Sequence, residues 1–153
     1  MNSKELFVRD TTVIRKSDNL FIAEVSENWS IGNTANGGYS MTLAAKAMSE
    51  YLEHKDPLSI SAHYLDRVDF GTTELHVTHL SSSKSLSTAR VELIQDNKIK
   101  IIFIGTFTDF SFKNDMNIYE RDVPNFPEYN SCEVIPYKEG FNPKLDKNIE
   151  KAY

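Results

Sequence analysis

Two hydrophobic periods alternate along the chain. Over Asn33 to Glu53 (NTANGGYSMTLAAKAMSEYLE) the apolar residues recur with a helical period. Placed at 100° per residue, Met41, Leu43, Ala44, Ala45, Ala47, Met48, Tyr51 and Leu52 fill an arc of roughly 200°. A helix resting on a surface carries an apolar stripe of little more than about 100°, so this helix is expected to be wrapped by other elements. Its small residues Ala44, Ala45 and Ala47 allow close approach. Asn33 to Gly38 reads as the turn-prone loop that leads into it. Glu53-His54-Lys55 and Pro57 mark its end, where cations suit the dipole and proline cannot continue the helix.

On both sides of this helix the period falls to two. Phe7 to Arg15 is read as a strand, Asp18-Asn19 as a turn, and Leu20 to Val25 as the second arm of a hairpin. Trp29 is expected in the core where the chain enters the loop. After Pro57, Leu58 to Arg67 sets Ile60, Ala62 and Tyr64 against Ser61, His63 and Leu65. Asp69 to Thr72 is a turn, and Thr73 to Leu80 the next strand. Leu86 to Gln95 sets Ala89, Val91 and Leu93 against Thr88, Arg90 and Glu92. Asp96-Asn97 makes a tight turn into a long last strand, Lys98 to Phe110. The predicted order is β-β-α-β-β-β-β, an α+β architecture in which one antiparallel sheet curls around one long central helix. Beyond Phe112 the pattern stops. Pro124, Pro127, Pro136 and Pro143 fall there, so residues 1–112 are read as the domain and 113–153 as a proline-bearing linker or tail.

Composition narrows the function classes. The 153 residues can bury one real core. A net charge of −5 with scattered Lys and Arg leaves no nucleic-acid footprint. MNSKELFVRD lacks the apolar core of a signal peptide, and the apolar run Ile101 to Ile104 is too short to span a bilayer. One cysteine, Cys132, forms neither an internal disulfide nor a metal site. The expectation is a cytoplasmic protein with no cofactor, no metal, no membrane and no nucleic-acid partner. His76 and His79, three apart in a strand, point to opposite faces. No nucleophile elbow, P-loop or dinucleotide fingerprint occurs.

Several motifs in order resemble the hotdog fold of acyl-CoA thioesterases. Asn36-Gly37-Gly38-Tyr39 is similar to the glycine pair that opens the hotdog helix. Ser61-Ala62-His63-Tyr64-Leu65 with Phe70-Gly71 resembles the strand after it. Ser83 to Val91, with Ile94-Gln95, resembles the next strand pair in the TesB-like, double-hotdog branch. The resemblance covers about residues 7–112, and the tail resembles the connector to a second hotdog. It implies a hydrolase of lipid metabolism that acts on fatty acyl-CoA thioesters. It also implies a homodimer, or pairing with a second hotdog, through the strand Leu58 to Arg67, whose apolar side chains suit poorly an open edge.

Thioester hydrolysis needs an activated water and donors for the carbonyl oxygen. The N–H groups and dipole at a helix start supply donors, and glycine lets backbone approach a ligand. Asn36, Gly37, Gly38 and Tyr39 are therefore the candidate substrate site; the alternative reading is that Gly37-Gly38 only shapes the turn. Lys84 and Ser85 are candidates for a coenzyme A phosphate, although the family pattern has Gly-Arg where this chain has Ser83-Lys84, and lysine lacks the bidentate fork. The activating group is missing from its expected places. One thioesterase branch carries a carboxylate seven residues after the glycine pair; here that is Ala45. In TesB-like double hotdogs the resemblance puts the Asp, Thr and Gln set in the second hotdog. His63, and Asp66 brought from a paired protomer, are the remaining catalytic candidates. A hydratase motif is excluded by the spacing of Asp56-Pro57 from His63. Two readings stay open: a thioesterase, and a non-catalytic half that binds acyl groups or completes a partner's site.

Overall fold

The computed structural model describes residues 2–112, 121–122, 124–133, 135–140 and 142–149. The expected boundary at 112/113 and the chain's last residues, 150–153, lie outside the described residues.

The first difference from the sequence reading is at the start. Phe7 to Arg15 is not one strand: Ser3–Asp10 forms helix α1, and only Val13–Arg15 forms strand β1. The cause is a capping box. The Asn2 side chain accepts from Glu5 N–H at 2.9 Å, and the Glu5 carboxylate accepts from Asn2 N–H at 3.0 Å. Leu6 and Phe7 of α1 then pack half-buried against the core. Strand β2, Leu20–Val25, follows through the expected turn. A 3-10 turn at Glu27–Trp29 leads into a short hairpin, β3 (Ser30–Ile31) and β4 (Thr34–Ala35), the second arm of which lies inside the Asn33 to Gly38 stretch read as plain loop.

Helix α2 runs over Gly37–Tyr51. It stops before Glu53-His54-Lys55: His54 is buried, and Lys55 folds back, its ammonium donating to the Ser49 carbonyl at 2.8 Å and to the Leu52 carbonyl. The cation thus still serves the C-terminal carbonyls, from beyond the last turn. Four strands complete the fold: β5 (Asp56–Tyr64), β6 (Gly71–Ser82), β7 (Ser87–Gln95) and β8 (Lys98–Thr108). The β7–β8 turn places Asp96 and Asn97 at φ 50° and 58°, the left-handed pair that a two-residue hairpin needs.

All pairs are antiparallel, in the order β1-β2-β6-β7-β8-β5. The strand that follows the helix therefore lies at an edge, beside β8 rather than its chain neighbour β6. Pro57 is tolerated there because an edge strand has one side free of ladder bonds. The sheet curls around α2, the α+β architecture expected. Ala89, Val91 and Leu93 of β7 are buried toward the helix, and Thr88, Arg90 and Glu92 face outward, half-buried. The helix packs tightly on Gly105 of β8, where a Cβ would sit 2.5 Å from Met48 Sδ and 3.1 Å from Phe107 Cε2; glycine leaves room there.

One chain does not finish the wrapping. Leu43, Ala44, Ala47 and Met48 are fully buried, while Met41, Ala45 and Tyr51 remain half-covered, as do Ile60 and Ala62 of β5. Among the described residues the tail comes back to the domain around Leu145. A 3-10 turn over Lys144–Lys147 sets Leu145 against the core, Lys144 pairs with Glu27, and Asn148 Nδ2 donates to the Asn28 carbonyl at 2.8 Å.

Candidate functional site

Asn36 caps α2. Its Oδ1 accepts from Gly38 N–H at 2.8 Å and from Tyr39 N–H at 3.2 Å. Two of the first-turn donors are thus spent on the cap, and Gly37 N–H has no partner among the described residues. Neither Gly37 nor Gly38 has positive φ, so the pair is not there to permit a left-handed turn. Gly37 lets the Tyr64 ring lie close: a Cβ on it would sit 2.9 Å from Cε1 and from the hydroxyl of Tyr64. The Tyr64 ring, 55% exposed at the end of β5, thus lies directly against the helix start. A cavity of about 340 Å³ opens here, lined by Gly37, Ser40, Tyr64, Asp66, Arg67 and Ile101 among others.

The candidates divide. Asn36 and Gly37 stand at the helix start, Gly37 on the cavity. Gly38 is exposed beside the Asn36 cap. Tyr39 points into the core. Its hydroxyl donates to the Asp10 carbonyl at 2.6 Å and accepts from Ser26 N–H at 3.1 Å, and its ring stacks on Trp29 at 6.2 Å. Burial pushes its hydroxyl pKa up. Trp29 in turn donates Nε1–H to Asp10 Oδ2 at 3.1 Å, which also accepts from Asn28 Nδ2 at 2.8 Å. Burial alone would raise the Asp10 carboxyl; the bonds from Asn28, Arg9, Ser26 and Trp29 more than reverse this and hold it below its ordinary value. Asp10 is the anchor that sets Trp29, Tyr39 and so the first turn of α2. A lone aspartate inside what read as a strand carried no sign of this role.

Asp66 does reach the cavity, but both its oxygens are engaged. Lys100 Nζ donates to Oδ2 at 3.0 Å and Arg67 N–H to Oδ1 at 2.8 Å. These bonds, Lys100 first, hold its carboxyl below the usual value, and Lys100 is raised in return. A carboxylate so stabilised is a poor proton acceptor. Asp69 adds a second acidic neighbour to Lys100 at 3.8 Å. Lys100 opens the apolar run of β8, where periodicity alone gave it no role; the two aspartates at 66 and 69 were its only signal. Arg67, unassigned by the sequence reading, lines the mouth without a side-chain partner among the described residues.

His63 faces away. It stands opposite Ile102 on the outer side of the sheet, while Ile60 and Ala62 face the helix, so within one chain it does not reach the Gly37 cavity. Lys84 and Ser85 lie on the β6–β7 hairpin, where the Lys84 carbonyl is 3.3 Å from His54 Nε2. His54 follows the far end of a 15-residue helix about 22 Å long. One chain therefore separates Lys84 and Ser85 from Gly37 by about that length. Among the described residues no three His, Cys, Asp or Glu side chains gather into a metal site, and no helix is long and apolar enough to cross a membrane.

Comparison with known proteins agrees with this architecture. The sequence model of the acyl-CoA thioesterase N-terminal domain matches residues 25–109, which is 85 of 153 residues. No curated protein matches the chain. Among solved structures, a candidate thioesterase II from Thermobifida fusca superposes with a TM-score of 0.79 at 20% identity, over 97% of this chain and 53% of that one. A hot dog fold protein of Alicyclobacillus acidocaldarius gives 0.81 at 12% identity, over 93% and 52%. Acyl-CoA thioesterase II TesB2 of Mycobacterium marinum gives 0.66 at 14% identity, over 85% and 52%. The chain spans about half the length of each of these three. With a family match over more than half of its residues and the matching hotdog fold, the chain belongs to the acyl-CoA thioesterase N-terminal domain family.

Proposed function

We propose that this chain binds fatty acyl-CoA thioesters at the start of α2 and hydrolyses them only when paired with a second hotdog that brings the catalytic set. The observation that carries the reading is the unpaired Gly37 N–H, at the positive end of a helix dipole, on a cavity beside the Tyr64 ring. A thioester carbonyl set there meets a donor aimed at the oxygen as it gains charge.

Activation of water is what the chain lacks. Ala45 stands where one branch has a carboxylate, Asp66 is tied to Lys100, and His63 is on the outer face. The nine-residue edge strand β5, with Leu58 and Tyr64 exposed and Ile60 and Ala62 half-buried, supports pairing through that edge. The same facts favour the second reading, a half that binds acyl groups for another subunit.

The test is thiol release from acyl-CoAs of several chain lengths, with His63→Ala and Asp66→Asn alongside. The expected result is release no more than about 10²–10³-fold above background, as an oxyanion site alone provides, and unchanged in both variants. Turnover of about one per second or more, lost in either variant, overturns the reading and makes this domain an enzyme by itself.

A further inference from the structure

The far end of α2 holds a line of polar groups that thioester binding does not use. His54 is 7% exposed and Ser87 is fully buried. His54 Nδ1 lies 2.6 Å from Ser87 Oγ. Ser82 Oγ donates to Ser87 Oγ at 3.2 Å, and His79 Nε2 lies 2.9 Å from Ser82 Oγ. On its other side the His54 ring meets the Lys84 carbonyl through Nε2 at 3.3 Å.

The proton directions follow from counting donors. A carbonyl only accepts, so His54 Nε2 carries a hydrogen. Ser82 spends its one hydrogen on Ser87, so it must accept from His79 Nε2–H. Ser87 accepts from Ser82, so its own hydrogen goes to His54 Nδ1. The line therefore runs one way, from exposed His79 through Ser82 and Ser87 to a neutral, buried His54, and every hydroxyl donates once and accepts once. The Ser87 hydroxyl is the group that holds His54 Nδ1, so a proton arriving there comes through it.

We propose that His79, Ser82, Ser87 and His54 form a proton relay that loads His54, and that loaded His54 latches the hairpin tip to the turn where β8 leaves the sheet. In the step, imidazolium His79 gives its Nε2 proton to Ser82, Ser82 passes its own to Ser87, and Ser87 passes its own to Nδ1 of His54. His79 is left neutral, protonated on Nδ1; His54 becomes the imidazolium; both hydroxyls end reversed; one proton has moved. The two rings resist being charged together, because with both donating inward one hydroxyl hydrogen has no acceptor in the line.

Charged groups surround His54. Phe112 stands edge-on to the ring at 6.4 Å, and Glu53, Lys55, Asp56, Lys84 and Asp109 share its cavity of about 260 Å³. The Lys55 ammonium is taken up by the carbonyls of Ser49 and Leu52. Asp56 accepts from Phe110 N–H at 2.8 Å, so it holds the exit turn already. Asp109 is held below the usual carboxylate value, first by Ser111 and also by the nearby His54. A charged His54 thus draws Asp109, and with it residues 109–112, toward the Lys84 carbonyl.

The experiment is histidine NMR on the full chain from about pH 8 to pH 5, with amide exchange recorded in parallel. At the upper end His54 is expected as the neutral Nε2–H form. As the pH falls, His54 and His79 titrate as a coupled pair, each ring reporting two steps. Ser82→Ala and His79→Ala, both at exposed positions, reduce His54 to one step and shift its midpoint. Amides of 83–86 and 109–112 exchange about threefold more slowly once His54 is loaded, and the variants move that change to the shifted midpoint. A single His54 step with the same midpoint in wild type and both variants overturns the relay. Amide exchange that does not follow the His54 titration overturns the latch. Neither readout depends on acyl-CoA binding.

Discussion

At its N-terminal end α2 commits two first-turn donors to Asn36 and leaves the third, on Gly37, facing a cavity beside an exposed tyrosine. At its C-terminal end the groups are closed on one another: Lys55 on the last carbonyls, His54 on Ser87 and Lys84. One helix thus has an open end and a saturated end. The open end is not loosely built, because Asp10, Trp29 and Tyr39 brace it from behind with buried hydrogen bonds. Rigid support behind an unsatisfied donor is what a binding site requires, since a donor already in place costs no reorganisation when a ligand arrives.

Removing the brace is expected to have the largest effect. Asp10→Ala leaves Trp29 Nε1–H and Asn28 Nδ2 without an acceptor in a buried setting, at a cost of about 3 kcal/mol. Urea unfolding at neutral pH checks it; a loss under about 1 kcal/mol breaks the claim that Asp10 anchors the open end. The same carboxyl gives a pH test. Its pKa is lowered on folding from 3.8, so its contribution is present above that value and is lost as pH falls through the depressed folded value. The acid loss of stability in Asp10→Ala should be correspondingly shallower.

The saturated end is expected to respond less. Ser87→Ala leaves His54 Nδ1 buried without its donor and costs about 1–2 kcal/mol, read by the same unfolding measurement. A neutral result shows that the closed end is closed by packing alone.

The smallest stability effect, and the sharpest functional one, belongs to Gly37→Ala. The added methyl meets the far end of an exposed, rotatable tyrosine, and alanine favours the helix, so stability should stay within about 0.5 kcal/mol. Affinity for a non-hydrolysable acyl-CoA analogue should fall about three- to tenfold, the order of one neutral hydrogen bond, by calorimetry. Unchanged affinity in the folded variant removes Gly37 from the site.

Much of the fold was legible in local signals. The 3.6 period and small residues of Leu43 to Met48 announced a wrapped helix, strict alternation in Leu86 to Gln95 announced which side chains face it, and Asp96-Asn97 announced the last hairpin. These are properties of neighbouring residues, which share one face or one turn wherever the element ends up. Helix α1 was legible too, in Asn2 and Glu5, but it was outweighed by the apolar residues that follow. The candidate site was only half legible. Asn36 and Gly37 were candidates because the turn and glycine pair that open the helix are a local signal. The separation of Lys84 from Gly37, the pairing of Asp66 with Lys100, the union of Asp10 with Trp29 and the meeting of His54 with Ser87 join residues 19 to 47 positions apart. Tertiary packing decided them: β5 lies beside β8 rather than β6, which brings Asp66 to Lys100, and α1 folds back on the 3-10 turn, which brings Asp10 to Trp29. A hydrogen bond depends on a few tenths of an ångström between two groups, and distance along the chain carries no information at that scale.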